Sequence, residues 1–245
     1  MQLDELCHFC NDYLSIDEFD DFCPNGLQVE GKPGINRLVS GVTASLQLID
    51  AAIEQDADAI LVHHGYFWKG ESLPLVGYRG DRIRRLMQND ISLLAYHLPL
   101  DAHPTVGNNA QLAQRMGWLV TSQQGLLWTG EVAQTVSVNV VLDELGEKID
   151  CNPLLIAAGN RPVHRIAWCT GAAQSYIEQA VEQGVDLFIS GEISEQTVHV
   201  ARETGIHYIA AGHHATERYG VQALGRVIAD RFSIHHEYIE IDNPV

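Results

Sequence analysis

A chain of 245 residues that is 46% hydrophobic and 19% charged can bury a substantial core, and its composition excludes the disordered and membrane-spanning classes. Its 32 acidic residues against 15 Lys and Arg give a formal net charge of −17, which disfavours long nucleic acids, because their binding draws on basic side chains that neutralise phosphates. A small nucleotide-derived ligand stays allowed, since a bound cation reverses the local sign.

No apolar run reaches the roughly eighteen residues a spanning helix needs. The opening Met1-Gln2-Leu3-Asp4-Glu5 carries acids where a signal peptide has bases. Five cysteines (Cys7, Cys10, Cys23, Cys151 and Cys169) are odd in number and irregularly spaced, which suits a reducing compartment. The expectation is a cytoplasmic protein with no membrane partner. Cys7 and Cys10 form a lone C-x-x-C with no second pair, which speaks against a structural zinc.

Along the chain, Leu46, Ile49, Ala52 and Ile53 fall on one helical face. The following strand, 59–62, runs out into His63-His64-Gly65. Residues 91–96 predict another apolar strand ending in His97, after which Pro99 holds an open loop as far as Asp101. Ser122-Gln123-Gln124-Gly125 marks the expected boundary between lobes 1–124 and 125–245. Val136, Val138 and Val140 alternate with Ser137 and Asn139 and, with Leu142, predict a half-exposed strand in an antiparallel part of the second lobe. The strand 208–211 ends in Gly212-His213-His214, and Val221, Leu224, Val227 and Ile228 mark the helix after it. His235 and His236 fall on a terminal strand, on opposite faces, and receive no role.

The chain contains a copy of itself. Residues 37–58 moved forward by 128 positions fall without gaps on 165–186, with Arg37/Arg165, Ala44/Ala172, Ile49/Ile177, Ala52/Ala180, Glu54/Glu182, Gln55/Gln183 and Asp58/Asp186 identical. Each copy reads strand, helix, strand, which makes two βαβ units with right-handed crossovers. The fold class expected is α/β: two similar α/β lobes related by an internal repeat, with a metal site in the cleft between them.

The chemistry gathers at strand ends, where ligands bind in open α/β sheets. Adjacent side chains on a strand point to opposite faces, so His63 and His64 serve one site only if the chain bends, and Gly65 supplies that freedom. His213 and Glu217, four apart, stack on one face of a helix as metal-binding pairs do. Asp101 gains its candidacy from this company, as a carboxylate able to bridge two cations about 3.5–4 Å apart. Glu192 occupies the place in the second copy that His64 holds in the first. His97 and Glu192 are the candidate catalytic residues, as groups that carry protons beside the metal. Imidazole and carboxylate donors without thiolate accommodate Zn, Mn, Fe or Ni.

Val62-His63-His64-Gly65, His97-Leu98-Pro99-Leu100-Asp101, Ser190-Gly191-Glu192, Gly212-His213-His214-Ala215-Thr216-Glu217 and, near the start of the chain, Asn25-Gly26-Leu27-Gln28 together resemble the GTP cyclohydrolase 1 type 2 homologues, also called NIF-three-like proteins, along the whole length. The resemblance implies a dinuclear centre of two divalent ions per chain, held by His63, His64, Asp101, His213 and Glu217, with Asp101 and Glu217 bridging and His97 close by. It also implies a toroidal homohexamer. Some relatives carry a large domain between the halves that this chain lacks, and functions tied to it do not transfer. Two functions follow as expectations. The first is a metal-dependent hydrolase opening a C–N bond of a nucleotide or nucleobase-like heterocycle, with a role in disposing of damaged nucleotides and so in DNA damage. The second is a non-catalytic metal-binding adaptor or metal-delivery protein.

Overall fold

The computed structural model describes residues 1–72 and 74–245. The strands are β1 Gly26–Val29, β2 Arg37–Thr43, β3 Ala59–His64, β4 Ser92–Ala95, β5 Leu119–Gln124, β6 Leu127–Val136, β7 Leu154–Ile156, β8 Val163–Cys169, β9 Leu187–Ser190, β10 His207–Ala210 and β11 His235–Tyr238. The helices are α1 Leu3–Tyr13, α2 Leu46–Glu54, α3 Gly77–Gln88, α4 Leu98–Ala102, α5 Asn108–Met116, α6 Val138–Lys148, α7 Ile177–Glu182, α8 Glu195–Thr204 and α9 His213–Phe232. They form two compact α/β units. None of the helices among the described residues is long and apolar enough to cross a membrane.

The first unit, Met1–Gly107 with Gly220–Asp242, is a five-stranded sheet in the order β1-β4-β3-β2-β11. All pairings are parallel except β1 with β4. A parallel sheet covered on both faces needs strands that are apolar throughout, and β3 shows how this divides. Ala59 and Leu61 enter one core with Leu38 and Leu94. Ile60 and Val62 enter the opposite core with Val39, Leu93 and the α2 residues Leu48, Ile49 and Ala52. Ser45 starts α2 by accepting the Leu48 N–H, which satisfies one of the helix's orphan donors.

The second unit, Asn108–Tyr219 with Asn243–Val245, is a six-stranded sheet in the order β5-β6-β8-β9-β10-β7. Its centre, β8-β9-β10, is parallel, and β5, β6 and β7 add antiparallel margins. One core holds Ile166, Trp168, Ile189 and Ile209; the other holds Ala167, Phe188 and Tyr208 with Ile177 and Ala180 of α7.

The internal repeat is visible in hydrogen bonds. Asp58 Oδ2 accepts the N–H groups of Asn36 and Arg37 at 2.6 and 2.9 Å and pairs with Lys32. Asp186 Oδ2 accepts those of His164 and Arg165 at 2.9 and 2.8 Å and pairs with Arg161. Bonds to an ionised acceptor are stronger than neutral ones, by roughly a factor of two. The identical aspartates therefore clamp the same strand entry in both copies.

The compact units do not follow the division at 124/125. Residues 122–124 lie within β5, which pairs with β6 across a turn at Gly125. Ladder bonds and the core residues Leu112 and Met116 hold α5 and β5 in the second unit. At the other end, β11 pairs with β2 and returns 220–242 to the first. The strand expected through 138–142 is helix α6: Val138, Val141 and Leu145 are buried at helical spacing, a period that the polar Ser137 and Asn139 concealed. The loop expected after His97 is also a helix, α4, with Pro99 in its first turn, where a missing N–H costs nothing.

His236 gives this architecture a pH response. Its Nε2 meets Ser40 Oγ at 2.8 Å. Burial, helped by Arg226 and His235 and opposed by Glu237, pulls the imidazole down to about 4 from an ordinary value near 6.5. The folded chain thus refuses a proton that the unfolded chain accepts. The associated stability is complete above about pH 6.5 and is lost as pH falls toward 4. In thermal melts across that window, His236→Gln should lose less stability than wild type. Parallel declines would show that His236 does not contribute.

Candidate metal centre

In the first unit the donors come from the carboxyl ends of β3 and β4. His63 is fully buried and His64 half-buried, with ring centroids 4.6 Å apart. His97 follows β4, its ring 5.1 Å from His63 and 5.8 Å from His64, and one ring nitrogen from each of the three lies within 4.8 Å of the others. Asp101, buried on α4, brings Oδ1 to 3.4 Å from His63 Nε2. Gly65 plays a different part from the one expected. Its φ is not positive, and a Cβ there would fall 2.2 Å from Gln28 Oε1. Gln28 accepts the Tyr66 N–H and donates to the Tyr66 and Pro24 carbonyls. The glycine admits the amide that fixes the turn after His64.

Each imidazole here is held by Nδ1. His63 Nδ1 donates to the Tyr96 carbonyl at 2.9 Å, and His97 Nδ1 donates to Asp21 Oδ1 at 2.7 Å. His64 Nδ1 meets Thr43 Oγ1 at 3.2 Å. A carbonyl or carboxylate only accepts, so for His63 and His97 the lone pair is left on Nε2. Metal-binding histidines are oriented in this way, with the second nitrogen tied to protein. Asp21 itself is held down to about 2: burial alone would raise it, but hydrogen bonds from His97, Asn25 and the Leu98 N–H outweigh that. Trp68 flanks the cluster, its indole edge-on to His97 at 4.9 Å and 6.0 Å from His64, anchored by Nε1 to the Gly65 carbonyl.

The second unit builds the same chemistry from one helix start and one strand end. His213 opens α9, and Glu217 lies one turn on, its Oε2 3.0 Å from His213 Nε2. Glu192, two residues past β9, accepts from His213 Nδ1 at 2.7 Å. Burial would lower the His213 imidazole, yet hydrogen bonds and charge from Glu217, then Glu192, push it up to about 9. Two carboxylates thus draw a positive charge onto this ring, the field a cation needs. Gly171 makes the room: it has φ +71°, and a Cβ on it would sit 2.0 Å from Glu217 Oε1.

The structure therefore groups His63, His64, His97 and Asp101 in one unit and His213, Glu217 and Glu192 in the other. Their nitrogen and oxygen donors, buried in His63, Asp101 and Glu217 and half-buried in the others, fit a divalent ion of the Zn, Mn, Fe or Ni kind. His199, exposed on α8, belongs to none of the donor groups among the described residues. The sequence reading missed Thr43, Tyr96 and Asp21. Tyr96 acts through its backbone, and Thr43 through its register opposite His64 on β2. Asp21 is far from His97 in the chain and carries no motif. Glu217→Gln should lower the metal retained after dialysis while the circular dichroism spectrum stays unchanged. Unchanged metal content would remove Glu217 from the site.

Comparison with known proteins places this geometry. The sequence model of Duf34/NIF3 (NGG1p interacting factor 3) matches residues 1–244. A protein of Pseudomonas aeruginosa called GTP cyclohydrolase 1 type 2 homolog is 53% identical over 99% of this chain and 98% of its own length. One of the same name from Allochromatium vinosum is 52% identical over 98% and 96%. Among solved structures, the protein ybgI, described as of unknown function, superposes with a TM-score of 0.98 at 46% identity over the full length of both chains. TTHA1606 from Thermus thermophilus superposes at 0.90 with 34% identity, over 100% of this chain and 99% of its own.

Proposed function

The chain belongs to the Duf34/NIF3 family, and from that premise we propose that it is a dinuclear metal-dependent hydrolase acting on a nucleotide or nucleobase-like heterocycle. His63, His64 and Asp101 of one unit and His213 and Glu217 of the other act as a single donor set for two divalent ions. The observation that carries this reading is the anchoring of His63 Nδ1 on the Tyr96 carbonyl and of His213 Nδ1 on Glu192, with each Nε2 toward a carboxylate, Asp101 or Glu217. When bound, two such ions would lower the pKa of a water from 15.7 toward about 7 and polarise the bond under attack.

The protein's own groups supply the rest. Glu192 spends Oε1 on His213, and its partly exposed carboxylate keeps Oε2 to take and return a proton. Asp101 and Glu217 are nearly fully buried, so their carboxylates are turned away from solvent. Trp68 presents an aromatic wall beside His64 and His97, which suits a planar ring that stacks. The name carried by the curated relatives supports a C–N bond in a purine-like ring, and removal of damaged nucleotides is the corresponding role. A toroidal homohexamer belongs to the same reading and is checked by light scattering.

Elemental analysis after loading with Mn, Fe or Zn should find close to two ions per chain. Metal-loaded wild type and His63→Ala, screened against purine and pyrimidine nucleotides and heterocyclic amides, should show turnover in the first and none in the second. Tight metal exchange without turnover on any of them would favour a metal-delivery protein over the hydrolase.

A further inference from the structure

Asp21, His97 and Cys23 also bring one donor atom each within 4.8 Å of one another, which invites a third, thiolate-containing metal site. The bonds of Asp21 argue otherwise. Its Oδ1 accepts from the Phe22 N–H at 2.6 Å and from His97 Nδ1 at 2.7 Å; its Oδ2 accepts from Asn25 Nδ2 and from the Leu98 N–H, both at 2.9 Å. A carboxylate has about four acceptor positions, and all are taken. No lone pair of Asp21 is left for an ion.

We infer that Asp21 is a positioning residue that acts through His97, holding its proton on Nδ1 so that Nε2 completes a three-imidazole donor set with His63 and His64. The rest of the loop serves the same end. Asn25 binds Asp21 through Nδ2 and accepts the His97 N–H at 2.7 Å through Oδ1, so side chain and backbone of His97 are fixed from one place. Asp21 thus stands to His97 as Glu192 stands to His213. His97, expected from the sequence to carry protons, becomes a metal donor, and proton transfer stays with Glu192. This rests on the dinuclear reading for its purpose and on the hydrogen bonds alone for its geometry.

The experiment has a metal-free arm and a metal arm. Nitrogen-15 spectra of the metal-free wild type should show His97 protonated at Nδ1. In Asp21→Asn the amide replaces an acceptor by a donor, and the proton should move to Nε2. A wild-type His97 protonated at Nε2 overturns the inference whether or not the chain binds metal. In zinc competition against a chromophoric chelator, Asp21→Asn and His97→Ala should each weaken binding about 10- to 100-fold. Asp21→Asn in a His97→Ala background should add less than about twofold, because coupled residues are not additive. Full additivity would reduce Asp21 to a loop anchor and overturn the inference. Wild type that binds no zinc would overturn the dinuclear reading, and with it the donor role of His97, while leaving the assignment of the proton to be judged by the spectra.

Discussion

A neutral imidazole offers one lone pair, and whichever nitrogen carries the proton decides where that lone pair points. In this chain the decision is made by acceptors fixed in the fold. The Tyr96 carbonyl holds Nδ1 of His63, Asp21 holds that of His97, and Glu192 holds that of His213. None of these partners can donate in return, so ring orientation and tautomer are set together in His63 and His97, while His213, drawn positive by Glu217 and Glu192, has its ring fixed and releases its Nε2 proton when a cation binds. Had His63 been held through Nε2 instead, its lone pair would lie on Nδ1, on the side away from Asp101.

These acceptors stand where they do because of the parallel sheets. In each unit the strands end side by side, β3 beside β4 and β9 beside β10. A residue at the end of one strand therefore reaches the backbone just after its neighbour, as His63 reaches Tyr96. Residues 43 and 171, and 64 and 192, are equivalent in the repeat, and their exchanges show how one scaffold yields two half-sites. Thr43 anchors His64, whereas Gly171 clears space for Glu217. His64 offers a lone pair, whereas Glu192 takes up an anchoring role. The aspartates that clamp the strand entries, Asp58 and Asp186, are kept unchanged.

Much of this was legible beforehand for a physical reason: buried parallel strands and the helices that cover them impose strong periodicities. The repeat at 128 positions, the strands before His63 and His97, and the pairing of His213 with Glu217 all follow from local pattern. What local pattern misses is contact between distant segments. Asp21 and His97 are 76 residues apart, and nothing near Asp21 marks it. The alternation at 136–140 imitated a strand because Ser137 is a helix N-cap and Asn139 lies on the exposed face of α6. The compact units depart from 124/125 because a chain can leave a sheet and return to it: β11 lies beside β2 although residues 108–219 of the second unit intervene between them in the chain.

Anomalous diffraction from crystals grown with manganese tests the central claim most directly, because it locates the ion relative to individual nitrogens. The account predicts two manganese peaks close together, bonded to Nε2 of His63, His64 and His213, at the short distances of direct coordination, roughly 2.0–2.3 Å. Manganese bound to any of these rings through Nδ1, or peaks remote from all three histidines, would contradict it.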